Sequence, residues 1–203
     1  LTVFLALGAW RISRRNVLTR RVPAIEALGA ATVLCVDKTG TLTQNRMTVA
    51  TLFAGGASHA VDYSRPNELP ERFHELVEFS ILASEVEPFD PMEKAFRQLG
   101  GHYLEHTEHL HDDWTLVQEY SLTPQLLAMS HVWKATGRDE YVVAAKGAPE
   151  AIFDLCHLGA QTSQDLAVEV GRLADQGLRV LAMARATYRG PQWPAVQHDF
   201  EFG

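Results

Sequence analysis

Ala30-Ala31-Thr32-Val33-Leu34-Cys35-Val36 followed by Asp37-Lys38-Thr39-Gly40-Thr41-Leu42-Thr43 is the stretch that decides how this 203-residue chain is read. The first seven residues are almost all apolar, the pattern of a strand buried on both faces of a parallel sheet. A carboxylate at the carboxyl end of such a strand lies where open α/β sheets bind their ligands. Beside Asp37 stand a lysine, three hydroxyls and a glycine, groups suited to holding a phosphoryl group. Asp37 is therefore placed as a nucleophile that becomes an aspartyl-phosphate. Cys35 falls within the expected strand, where burial is the simplest account of it.

Composition narrows the class. The apolar fraction, 46%, is that of an ordinary globular protein. A net charge of −7 argues against a nucleic-acid partner, which calls for a basic surface. Two cysteines far apart, Cys35 and Cys156, make no disulfide framework and suit a reducing, cytosolic setting. The amino terminus is apolar from Leu1 to Trp10, and Arg11, Arg14, Arg15, Arg20 and Arg21 follow. Ten helical residues span about 15 Å, half a bilayer core. Charge after the apolar run, not before it, is the order found at the cytoplasmic end of a membrane helix.

The heptad Asp37–Thr43 is the phosphorylation motif of the P-type ATPases, the ATP-driven ion pumps, and the chain resembles that family over nearly its whole length. The resemblance implies that Asp37 takes the γ-phosphate of ATP. It implies that Thr39 binds Mg²⁺ through its backbone carbonyl, with Asp37 as the other metal-binding residue, and that Lys38 neutralises developing charge. Related phosphatases of the haloacid-dehalogenase superfamily carry a second Asp two residues after the first. Here Thr39 stands there, and a threonine is no general base near neutral pH. A persistent aspartyl-phosphate is expected, and a freestanding phosphatase is disfavoured.

After Thr43 the chain reads as an α+β unit. Strands are expected at Met47–Phe53, Thr115–Tyr120, Leu126–Trp133, Tyr141–Ala145 and Leu178–Ala184. Helices are expected at Glu71–Glu85, after Pro91, at Pro149–Leu155 and at Gln164–Gln176. Gly55-Gly56 marks a turn, and Asp90-Pro91 makes a good helix start. The layout resembles the pumps' nucleotide-binding domain, inserted between two halves of the phosphorylation domain. The expected fold class is thus α/β: an incomplete haloacid-dehalogenase-like (Rossmann-like) phosphorylation domain, with an inserted α+β domain built on an antiparallel sheet. Residues 1–29 resemble a membrane-helix end and stalk, 30–47 the first strand and motif, 48–199 the nucleotide-binding domain, and 200–203 the return. The later Thr-Gly-Asp and Gly-Asp-Gly-x-Asn-Asp signatures of the family do not occur in the sequence. The expected partners are therefore the second half of that domain and the membrane helices of a parent pump.

Three local patterns carry candidate ATP-binding residues. Lys146-Gly147-Ala148-Pro149-Glu150 leaves a strand, so that the Lys146 ammonium can meet phosphates or an adenine ring while Gly147 lets backbone come close. The family resemblance puts Lys146 in the ATP pocket. In Gly177-Leu178-Arg179-Val180-Leu181-Ala182, Gly177 fits a helix C-cap and Arg179 the start of a buried strand. The resemblance assigns Arg179 to the nucleotide phosphates. In Phe89-Asp90-Pro91-Met92-Glu93-Lys94-Ala95, it assigns Glu93 to the adenine amino group. Leu122 stands where the family stacks a phenylalanine on adenine, which forgoes about 1 kcal/mol of aromatic contact. Either Tyr120 compensates or ATP binds more weakly. His102, His106, His109 and His111 have spacings that a Zn²⁺ site could use, but their polar surroundings favour a solvated surface. The two remaining readings are a catalytic part of a cation pump, calcium-pump-like, and a nucleotide-binding module without turnover.

Overall fold

The computed structural model describes residues 2–17, 23–64, 69–105, 107–111, 113–137 and 139–203. Arg20, Arg21 and His106 lie outside them. The chain divides into two compact units, Leu1–Asn45 and Arg46–Gly203.

In the first unit, α1 spans Thr2–Ser13 and α2 spans Pro23–Ala30. The apolar side chains of Val3, Phe4, Leu7 and Trp10 on α1 are exposed. Twelve residues extend about 18 Å, and no helix among the described residues is long and apolar enough to cross a membrane. The expected strand over Ala30–Val36 does not form: Ala30 closes α2, and residues 31–37 carry no ladder. Val33 and Leu34 are 78% and 75% exposed, and Cys35 is exposed rather than buried. The reason is physical. A buried strand needs neighbours on both edges, and every ladder among the described residues joins strands of the other unit.

The second unit holds a hairpin and a four-stranded antiparallel sheet. Strands β1 (Thr51–Ala54) and β2 (Ala57–Ala60) turn at Gly55 and Gly56, both at positive φ, which glycine adopts without a Cβ clash. The larger sheet runs β3 (Thr115–Tyr120), β4 (Ala128–Lys134), β5 (Tyr141–Gly147) and β6 (Ala182–Tyr188) in that spatial order. Helices α3 (His74–Leu82), α4 (Pro91–Tyr103), α5 (Pro149–Leu155) and α6 (Ala160–Ala174) surround the sheets.

Strand alternation sorts the core into faces. Val143 and Ala145 of β5 pack with Val132, Ile152, Leu155, Phe200 and Phe202. Val142 and Ala144, on the opposite face, pack with Trp133 and with Phe79 and Leu82 of α3. Burial on both faces explains why β5 reads as an apolar run from Tyr141 to Ala145. A third cluster joins the hairpin to α3 and α4 through Leu52, Phe73, Val77 and Leu99.

The last strand differs from expectation. Gly177, at φ +77°, closes α6: its N–H donates to Ala174 O and the Leu178 N–H to Leu173 O, a Schellman ending. The apolar residues 178–181 then run without a ladder, and β6 starts at Ala182, opposite Gly147. Arg179 therefore lies before β6, not on it.

Candidate functional site

Alternation along β5 points Lys146 to the α3 side of the sheet, the face that carries Val142 and Ala144. Its ammonium donates to Ser84 Oγ at 3.0 Å and pairs with Glu93 Oε1. All three groups are buried, with Lys146 only 7% exposed. Their placement follows from the helices. Ser84 lies just beyond the C-terminus of α3, and its hydroxyl donates back to Ser80 O. Glu93 lies in the first turn of α4, which Asp90 caps by accepting the Met92 N–H at 2.7 Å, with Pro91 at the first helical position. The cation thus meets the negative end of one helix dipole, and the carboxylate occupies the positive end of another. Burial lowers the Lys146 pKa, and the hydrogen bond and charge of Glu93 hold it up, with weaker help from Asp90 and Glu85.

His131 completes this neighbourhood. It is wholly buried on the same face; its Nδ1 donates to Leu82 O at 3.2 Å, and Trp133 Nε1 donates to the same carbonyl at 2.8 Å. These two side chains satisfy a carbonyl at the end of α3 that the helix leaves open. His131 Nε2 is buried without a hydrogen-bond partner. Burial lowers the His131 pKa; Lys146 lowers it further, against the opposing pull of Glu119 and Glu85. Neither Ser84 nor His131 stood out in the sequence. For His131 a signal existed, a polar residue inside an apolar strand; for Ser84 there was none.

The other candidates have different settings. Gly147 is buried where β4, β5 and β6 meet, and a Cβ there would come within 2.4 Å of Leu127 O. Its close approach is thus to a neighbouring strand. Leu122 is exposed in the β3–β4 connection. Tyr120 packs edge-on against Phe200 and donates its hydroxyl to Pro194 O, so its ring belongs to the core. Arg179 is exposed and lines a mostly apolar cavity of about 490 Å³ with Leu99, Phe153 and Leu173. Asp37, Lys38 and Thr39 sit in an exposed turn of the first unit. There Gly40 has φ +78°, and the Thr43 N–H donates to Lys38 O at 3.0 Å.

His109 and His111 do not stand on a solvated surface. His109 and His111 both donate to Glu78 of α3, and His111 stacks on Trp114. Sequence spacing alone could not show an acceptor more than 30 residues away.

Residues 82–201, which include the Lys146 trio, match the family model described as P-type ATPase, cytoplasmic domain N. The chain belongs to the P-type ATPases. Among curated P-type ATPases, it is 34% identical over its full length to the cation-transporting ATPase pma1 of Synechocystis, covering 26% of that protein. It is 30% identical to calcium-transporting ATPase 1 of Bacillus cereus, with 93% of the chain and 21% of the relative aligned. The calcium-transporting ATPase of Bacillus subtilis is 25% identical, with 97% and 26% aligned. The chain thus spans about a quarter of the length of these relatives. The mixed α/β unit with its antiparallel sheets is consistent with the P-type ATPase N domain.

Proposed function

We propose that residues 46–203 bind ATP, and that Asp37 in the parent pump accepts the γ-phosphate, coupling hydrolysis to cation transport. The observation that carries this reading is the buried Lys146 ammonium, held by Glu93 and Ser84 within the span that matches domain N. In this reading Lys146 faces the nucleotide, Glu93 accepts from the adenine amino group, Leu122 offers an apolar contact and Arg179 binds phosphate oxygens in bidentate fashion. Gly147 keeps the strands close enough to hold Lys146 in register.

In phosphoryl transfer an Asp37 carboxylate oxygen bonds to the γ-phosphorus as the bond to the bridging oxygen breaks. ADP leaves with that electron pair, and Lys38 offsets the developing charge. The Asp37 carboxylate and the Thr39 carbonyl are hard oxygen donors, the type that Mg²⁺ takes alongside substrate phosphates and water. Mg²⁺ held there would neutralise phosphate charge. Thr39 supplies no base for water attack, so the aspartyl-phosphate persists. Two relatives are named calcium-transporting, which supports a calcium-pump-like parent working at the cytoplasmic face of a membrane. Its partners are the remainder of the phosphorylation domain and the transport helices.

The test is an acid-stable phosphoenzyme formed from γ-labelled ATP by the full-length parent. Asp37→Asn abolishes the label; a label that persists overturns the assignment. A second reading, nucleotide binding without turnover by the 203-residue chain alone, is favoured by the exposed, ladder-free setting of Asp37. Phosphate release by this chain with ATP and Mg²⁺, abolished by Asp37→Asn, would contradict that second reading.

A further inference from the structure

At the amino-terminal end of α3, far along the helix from Ser84, a second group of polar side chains converges. One ligand atom each of Glu71, His74 and His109 lies within 4.8 Å of the other two. Their hydrogen bonds decide which nitrogen of each ring is left to bind a metal. His74 Nε2 lies 2.7 Å from Leu69 O, a carbonyl that can only accept, so Nε2 donates, and in a neutral ring the lone pair falls to Nδ1. His74 Nδ1 faces Glu71 Oε2 at 3.4 Å. His109 Nδ1 lies 2.6 Å from Glu78 Oε2, so it too donates, and in a neutral ring the lone pair falls to Nε2. The two imidazoles meet edge to face with centroids 5.2 Å apart.

We propose that Glu71, His74 and His109 form a binding site for a late first-row divalent cation, with Zn²⁺ as its best-suited occupant. Three features carry the proposal together. The donor set of two neutral imidazoles and one carboxylate, with a fourth position open to water, is one that Zn²⁺ takes. Ligands 2.0–2.1 Å from a tetrahedral ion lie about 3.4 Å apart, the separation already present between Glu71 and His74. Each histidine is also fixed by its other nitrogen, His74 on a backbone carbonyl and His109 on a carboxylate, the outer arrangement that orients metal-bound imidazoles. Glu78 is held in turn from the far side by His111 Nε2 at 2.8 Å. The residues come from two segments, the turn into α3 and the connection from α4 to β3. An ion there would clamp that connection to the helix. The inference is independent of the ATP reading and of Asp37.

The experiment is calorimetric titration of the 203-residue chain with ZnCl₂ in millimolar Mg²⁺, paired with thermal melts. One Zn²⁺ is expected to bind, Mg²⁺ to fail to compete because it prefers oxygen ligands, and the melting temperature to rise with Zn²⁺ concentration. Glu78→Gln, which disturbs an outer support, should weaken binding about 10–100-fold. His74→Ala and His109→Ala should weaken it at least as much. Because His109 also anchors a loop, Glu71→Gln provides the variant whose exposed side chain leaves folding untouched, and it too should lose affinity. His198→Ala, on the other side of the unit beside Asp154, should bind as the parent chain does. Absence of a one-to-one Zn²⁺ event, or undiminished binding in the Glu71→Gln and His74→Ala chains, overturns the site.

Discussion

Two lysines that follow strand-like runs behave differently in this molecule. Lys38 comes two residues after the mostly apolar run Ala30–Val36 and stands in an exposed turn. Lys146 is the last residue but one of a strand paired on both sides, and its ammonium is buried against a carboxylate and a hydroxyl. The apolar character of the two runs is similar. What differs is whether ladder partners lie within the described residues. The comparison teaches that a strand sequence states a requirement for neighbours, and burial follows only where they exist.

Stability measurements can break this contrast. Lys146→Ala leaves Glu93 buried without its cation and is expected to destabilise the second unit by about 3–5 kcal/mol in urea unfolding. Lys38→Ala removes an exposed charge and should stay within about 0.5 kcal/mol. Equal effects of the two would refute the burial assigned to Lys146. A smaller loss is expected from Gly147→Ala, whose Cβ meets Leu127 O and Ala128 Cα. Overpacking against backbone should cost about 1–3 kcal/mol, and an unchanged denaturation midpoint would contradict the strand spacing.

The smallest effect is a pH dependence at His131. Its pKa in the fold is lowered by burial from the ordinary 6.5. The unfolded chain therefore binds the proton first on acidification, and stability falls as pH drops from about 6.5 towards the lowered value. Unfolding free energies at pH 7.5 and 5.5 should differ less in His131→Gln than in the parent chain. A steeper slope in the variant would reverse the assignment.

Much of the second unit was legible because its signals are local. Asp90-Pro91 begins α4, Gly55-Gly56 turns the hairpin, and α5 occupies the expected Pro149–Leu155. Where pairing sets the boundary, the sequence was ambiguous. Leu178–Ala184 looks like a strand, yet the ladder runs from Ala182 to Tyr188 because β5 offers partners only from Gly147 to Tyr141. Ala30–Val36 fails for the same reason, in stronger form. The Lys146–Glu93 contact joins positions 53 residues apart and was not readable from either motif. The Glu78–histidine contacts were hidden likewise, since one-dimensional spacing carries no information about a helix packed alongside.

The Lys146–Glu93 pair has a further consequence, for discrimination among ligands. A simple anion finds no bare ammonium there, because an internal counter-ion already occupies it. Pulling Lys146 away would strand a carboxylate in a buried setting, a penalty larger than one new hydrogen bond returns. A ligand opens the latch without that penalty only if it brings an acceptor for the lysine and, at the right separation, a donor for the glutamate. A ligand that carries acceptors alone holds only half of such a two-headed key.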